Sequence, residues 1–385
     1  MNFHMRKCWT SWVRGGMAFG LVLGLGFALW ASPVQAEVDL YVVEQASAQV
    51  LVVKTDSNGF PHTVVATIPV GSIAITARAT PDQTAVWVTN GGDNSVTVIR
   101  THDNSVLTTF TVPNLSFPGP FVFSLAGDKA YLTSGDNTIK VVNTQTYALI
   151  ASIPVGNFPA GIARNSSGTR LYVTNLVDNT VSVIDATCNE VVATIQIPSA
   201  SVVVTPPTSL PSPTGIAVSP DDRFVYVTNA YDNNLPATTP PFQESSVSVI
   251  QTSNNHVVAN IPSGGFLANN VAFTLDGRTA YVTNGGTDNY PDNRIGVIQT
   301  STQQLVSTDT ETAPMGGPGE VDLNPSGSLA YVPNNGYPGC APGNGCSTNV
   351  GGQSVATINT RTNQIVNYFT LPLGSFPTSI AVVRK

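Results

Sequence analysis

One tetrapeptide recurs along this chain at near-constant spacing, and that recurrence limits the fold more than any other feature. Four copies are clear: Trp87-Val88-Thr89-Asn90, Tyr172-Val173-Thr174-Asn175, Tyr226-Val227-Thr228-Asn229 and Tyr281-Val282-Thr283-Asn284. Three looser ones are Tyr41-Val42-Val43-Glu44, Tyr131-Leu132-Thr133-Ser134 and Tyr331-Val332-Pro333-Asn334. The mean spacing from the first to the seventh is about 48 residues, within the range of four-stranded propeller blades.

The best-formed unit reads as four short strands. Gly161-Ile162-Ala163 is strand a, Leu171 to Asn175 strand b, Val181 to Asp185 strand c and Val191 to Ile195 strand d. Each run is β-branched and bounded by Gly, Asn, Asp or Pro, as consecutive antiparallel strands require. Strand a is rich in Gly and Ala (again in Gly215-Ile216-Ala217-Val218), which suits inner strands crowded around an axis. The chain enters at Tyr41 on a strand b and leaves on Phe376 to Val383, a strand a with no partner after it. Pairing the two closes the ring and removes a pair of open edges. The expected fold is therefore all-β, a seven-bladed propeller over 37–385, with 377–383 and 40–70 sharing one blade and no helix.

The pattern of Pro213-Thr214-Gly215-Ile216-Ala217-Val218-Ser219-Pro220-Asp221, the tetrapeptides and Val191 to Ile195 resembles the YVTN family of β-propeller repeat proteins. The resemblance covers nearly all of residues 37–385 and implies the fold. For function it implies only a range, from surface-layer and periplasmic propellers to lactonases, lyases and cofactor-binding domains, and fold does not choose among them.

Residues 1–36 differ in kind. Arg6, Lys7 and Arg14 precede an apolar run of about 14 residues, Met17 to Trp30, followed by Val34-Gln35-Ala36. That is the layout of a cleaved secretory signal; a retained spanning helix, which needs about 20 apolar residues, is the weaker reading. The expected destination is the periplasm, the cell surface or the medium, with no membrane insertion after cleavage. Without the signal 13 Lys plus Arg face 23 Asp plus Glu, an acidic balance that argues against non-specific nucleic-acid binding. Cys340 and Cys346 enclose a turn-rich segment and are expected to form a disulfide in an oxidising compartment, with metal binding the lesser alternative. Cys188 falls in an expected turn and is read as a thiol without a mechanistic role.

The repeat swells in four places. Numbering blades by their tetrapeptides, the b–c connections lengthen in blade five (Ala230 to Glu244), blade six (Gly285 to Asn293) and blade seven (Asn335 to Gln353), and Pro198 to Pro213 joins blades four and five. Connections b–c and d–a emerge on one face of a propeller, so all four crowd one rim. Long loops on a rigid scaffold often carry function, although surface loops also drift in length at little cost. The expected site is this rim, with Tyr231, Asp232, Phe242, Asp288, Tyr290 and Tyr337 as contact residues, because exposed aromatics give large contact area. The partner would be a protein, a cell-surface glycan or a second copy of the chain. Their plainer role is packing the loops against each other.

No cofactor is expected. Asp232, Asp288 and Asp292 offer oxygen ligands suited to Ca²⁺, but Asp-Asn pairs recur in every blade as turn formers. Arg78, Arg164, Glu320 and Asp322 lie in or beside inner strands and are the candidates for facing the central channel. They make a small-molecule hydrolase or lyase the rival reading, with Glu320 and Asp322 as acid–base groups; solvated channel lining is the plainer one. Catalysis has little other support. His62, His102 and His256 fall away from the axis, and no Gly-x-Ser-x-Gly elbow or Cys-x-x-Cys-His occurs.

Overall fold

The computed structural model describes residues 37–198, 212–230, 245–287, 290–292, 294–309, 317–335, 353–372 and 376–385. Seven four-stranded antiparallel sheets make up the ring, and no helix occurs among these residues. Blade four illustrates the unit: strands a to d are Pro159–Arg164, Arg170–Asn175, Thr180–Asp185 and Glu190–Gln196, in sequential order across the sheet. Inner strands of the other complete repeats are Ala74–Ala79, Phe121–Phe123, Ser212–Val218, Ala268–Phe273 and Asp322–Leu323.

Blade one is composite, as the termini require. Its inner strand is Pro377–Arg384, which pairs antiparallel with Val38–Glu44 so that Tyr41 lies opposite Ala381. Gln49–Thr55 and Pro61–Pro69 complete it.

Three letters of the tetrapeptide make distinct polar contacts. In blades six and seven the Tyr hydroxyl reaches the next blade: Tyr281 donates to Asn363 Oδ1 at 2.6 Å and Tyr331 to the Gly59 carbonyl at 2.7 Å. Thr patches the break in the ladder between strands a and b, as Gly215 N–H donates to Thr228 Oγ1 at 2.8 Å beside a register shift. The Asn amide ties strand c, with Asn175 Nδ2 donating to Thr180 and Ser182 hydroxyls, both at 2.9 Å. Blade three has Ser134 at the Asn position, and there Lys140, 1% exposed, stands where strand c of blade four has Ser182 and pairs with Asp136. Bulged pairing of strands c and d recurs in all seven blades, which bends and twists the outer edge.

The Gly-rich inner strands do crowd the axis. A Cβ on Gly161 would lie 2.4 Å from the Thr214 carbonyl of the next blade, and one on Gly215 would lie 2.6 Å from the Asn269 carbonyl. Larger residues there would push the blades apart. Between blades the apolar core divides into seven clusters, one at each blade-to-blade contact, so the hydrophobic stabilisation comes mostly from neighbours rather than from within a blade.

Candidate functional site

A cavity of about 520 Å³ occupies the axis toward the face carrying the short a–b turns, a volume typical of small-molecule sites. Its wall is the C-terminal halves of the inner strands, where Val122, Phe123, Ile162, Ile216, Val271 and Phe273 supply apolar surface. All four channel candidates line it: Arg78 from blade two, Arg164 from blade four, and Glu320 and Asp322 from blade seven.

Three of the four meet at the seam of the ring. The Arg78 guanidinium forms an ion pair with Glu320 Oε1. Glu320 Oε2 accepts a hydrogen bond from Ser379 Oγ at 2.6 Å, and the same hydroxyl accepts from Ala77 N–H at 3.2 Å. Asp322 Oδ2 accepts from Val382 N–H at 3.0 Å and Oδ1 from Leu323 N–H at 2.9 Å. The cluster therefore spans blades seven, one and two and grips both ends of the closing strand. Sequence placed Arg78, Glu320 and Asp322 at the channel, but gave no sign that Ser379 joins them. A serine in Thr378-Ser379-Ile380 reads as ordinary strand residue until blade seven is set beside it.

Electrostatics separate the members. Burial among the inner strands pushes the Asp322 carboxyl up to about 6, with Glu320 adding to the rise and Arg78 and two backbone N–H groups opposing it. Burial also works against the Arg78 charge, but Glu320 and Asp322 outweigh it and raise its pKa, so it stays cationic. At Arg164 burial prevails and lowers the pKa, with Asp222 and Tyr131 only partly compensating. The wall thus holds, at the seam, a carboxyl whose pKa burial raises and whose oxygens both accept backbone N–H groups, and a guanidinium on the opposite side.

The expanded rim lies at the other end of the axis. Tyr231, Asp232, Phe242, Asp288, Tyr337, Cys340 and Cys346 fall outside the described residues, and of Tyr290 only its place in a two-residue hairpin strand is described. Asp292 is 2% exposed and held by the Arg294 guanidinium (2.9 and 2.8 Å) and by Phe266 N–H at 2.6 Å. Among the described residues no group of three or more His, Cys, Asp or Glu is placed to hold a metal ion. Cys188 is half-buried in the turn after strand c of blade four.

This face also carries a feature that sequence did not signal. Ile73, Phe117 and Phe158, each just ahead of an inner strand, adopt left-handed backbone with φ of 50°, 39° and 55°. All three remain more than 40% exposed. Bulky and β-branched residues rarely occupy that region. The b–c turns hold them there: Asp93 accepts Ser72 N–H and Asp178 accepts Asn157 N–H within a blade, while Asn94 and Asn137 accept the N–H of Phe117 and Phe158 in the next. The recurrent Asp-Asn pair is thus a clamp as well as a turn former.

No family model matches the chain, and no curated protein matches it. Its fold is shared with solved structures. Hydrazine synthase from Kuenenia stuttgartiensis aligns with a TM-score of 0.66 at 18% identity, over 87% of this chain and 99% of that one. A functionally unknown protein from Desulfotomaculum acetoxidans gives 0.64 at 17%, over 90% and 99%. The dihydro-heme d1 dehydrogenase NirN, solved in complex with DHE, gives 0.57 at 12%, over 91% and 76%. At these identities the likeness establishes architecture alone: this chain is a seven-bladed β-propeller.

Proposed function

We propose that this protein is an exported ligand-binding propeller whose small-molecule site is the axial cavity. The observation that carries the reading is the cavity itself, its lining divided between apolar and polar surface, with charged side chains contributed by three separate blades, a concave site with a few placed polar groups. A hydrolase or lyase activity fits less well. Glu320 and Asp322 each have both oxygens engaged with the closing strand, Arg78 or a backbone N–H, whereas an acid–base pair must be able to reach substrate. A thermal-shift screen with organic acids, lactones, sugars, redox cofactors and divalent metals tests the proposal on the wild type and on Ala272→Phe, which narrows the cavity. A compound that raises the melting temperature of the wild type and not of the variant supports it. Equal shifts in both, or none with any class, would move the function elsewhere.

A second reading keeps the opposite rim as a docking face for a protein, a cell-surface glycan or a second copy of the chain. The exposure of Ile73, Phe117 and Phe158 in strained backbone on the same face as the long connections favours it, since strain of this kind tends to be retained for function. Replacing all three by Asn, which tolerates left-handed backbone, should abolish such docking while leaving the fold intact.

A further inference from the structure

The inference that follows rests on the cavity being a ligand site and concerns what its ligand must carry. Of the four ionisable groups in the wall, three are occupied with one another or with the closing strand. Arg78 has Glu320, Glu320 has Arg78 and Ser379, and Asp322 has two backbone N–H groups.

Arg164 is different. Its guanidinium donates from Nη1 to the Asn165 carbonyl at 3.1 Å, and no carboxylate among the described residues forms an ion pair with it. Asp222 acts on it only through space, because both Asp222 oxygens are taken by Ser166, whose N–H and Oγ donate at 2.7 and 2.6 Å. The guanidinium is half-buried with most of its fork not bonded to protein, and none of its free N–H groups is shut away from solvent, so they are available to a ligand; the cavity it borders is also lined by Phe123, Ile162, Ile216 and Phe273.

We infer that the axial cavity takes a small organic acid, its carboxylate seated on the Arg164 guanidinium and its apolar body along the wall of blades three to six. A planar carboxylate matches the guanidinium fork with two parallel hydrogen bonds. A phosphate dianion fits poorly, since one cation in an apolar wall leaves half its charge unmatched. A cationic ligand fits poorly too, because the acids of the wall already have Arg78 beside them. A neutral apolar ligand would fill the space and leave Arg164 dry and unpaired.

Calorimetric titration of the full-length protein with 4-phenylbutyrate and with 4-phenylbutan-1-ol, at pH 7.5, separates these cases. The acid should bind one to one and at least about tenfold more tightly than the alcohol, the least that a charge-assisted pair contributes. Arg164→Gln should weaken the acid by about ten- to a hundredfold and barely affect the alcohol, and Arg164→Lys should recover part of the loss. Melting temperatures of both variants check that the fold is kept, and if Gln impairs folding the Lys variant carries the comparison. Equal binding of acid and alcohol, or indifference of the acid to Arg164, would overturn the inference while leaving the cavity a ligand site. If neither probe binds but another compound of the screen does so in a manner sensitive to Ala272→Phe, the inference fails and the cavity reading stands. If nothing binds, both fall.

Discussion

The two sides of the axial cavity are built from the same repeat and do different work. On the side of blades three to six, consecutive blades are joined by the chain itself, and the inner strands meet through apolar residues, close-packed glycines such as Gly161 and Gly215, and uncharged hydrogen bonds from Thr174 to the Thr214 carbonyl and from Thr214 to the Ala268 carbonyl. On the seam side, blade one must capture a strand from the far end of the sequence, and there charged side chains pair across the wall. Arg78, Ser379, Glu320 and Asp322 link three blades through directional bonds. Directional bonds fix register, which apolar packing alone specifies poorly when one residue of slip is the hazard. The difference teaches that charge at the axis of a propeller is not by itself a sign of chemistry: near the seam it is explained by closure, and away from it Arg164 has no ion-pair partner among the described residues.

The comparison can be broken most forcefully at the closing strand. Deleting residues 377–385 removes Ile380, Val382 and Val383 from the core, on the order of 5–10 kcal/mol of burial, and should leave no cooperative unfolding transition by circular dichroism. Retention of a sharp transition would mean the ring holds without its clasp. Next in size is a pH effect at Asp322. Its folded pKa of about 6 lies above the ordinary aspartate value of 3.8, so its stabilising contribution is complete below about pH 4 and is lost as pH rises through 6. Urea unfolding of wild type and Asp322→Asn should therefore diverge between pH 4 and 7.5 by about 2 kcal/mol in favour of the variant. A pH-independent difference would place the carboxyl in an ordinary solvated setting.

Glu320→Gln should cost about 1–3 kcal/mol, because it leaves the partly buried Arg78 charge without its counter-ion; the side chains are 31% and 13% exposed, which keeps the figure toward the lower end. The smallest effect is expected across the cavity. Arg164→Gln should change stability by no more than about 0.5 kcal/mol, the range of substitutions outside any network. A loss as large as that at Glu320 would erase the distinction between the two sides.

Much of the ring was legible in sequence because a repeat reports its own geometry. Tyr, Thr and Asn recur with fixed duties, so strand positions in blade four and the pairing of Tyr41 with the last strand followed from pattern alone. The channel candidates were legible as positions on inner strands. What they do was not, since Glu320, Ser379 and Arg78 are 59 to 301 residues apart and each sits in an unremarkable local pattern. The left-handed Ile73, Phe117 and Phe158 were hidden for a related reason. Residues with low intrinsic preference for that conformation adopt it because neighbouring b–c turns hold their N–H groups, and no local propensity reports a constraint imposed by the next blade. Loop length pointed to one face, while the cavity opens toward the other, where turns such as Ser219 to Asp222 stay short.

The pairing of Tyr41 with Ala381 also sets a schedule. During synthesis Val38–Glu44 is made and then waits through some 330 residues for its inner neighbour. Until then blade one exposes an unpaired edge rich in Val, Leu and Tyr, the kind of surface that recruits other chains. Closing a loop of that span is slow compared with pairing adjacent strands. The hazard for this protein accordingly lies in the interval before Pro377–Arg384 arrives, and whatever protects it then must act on blade one.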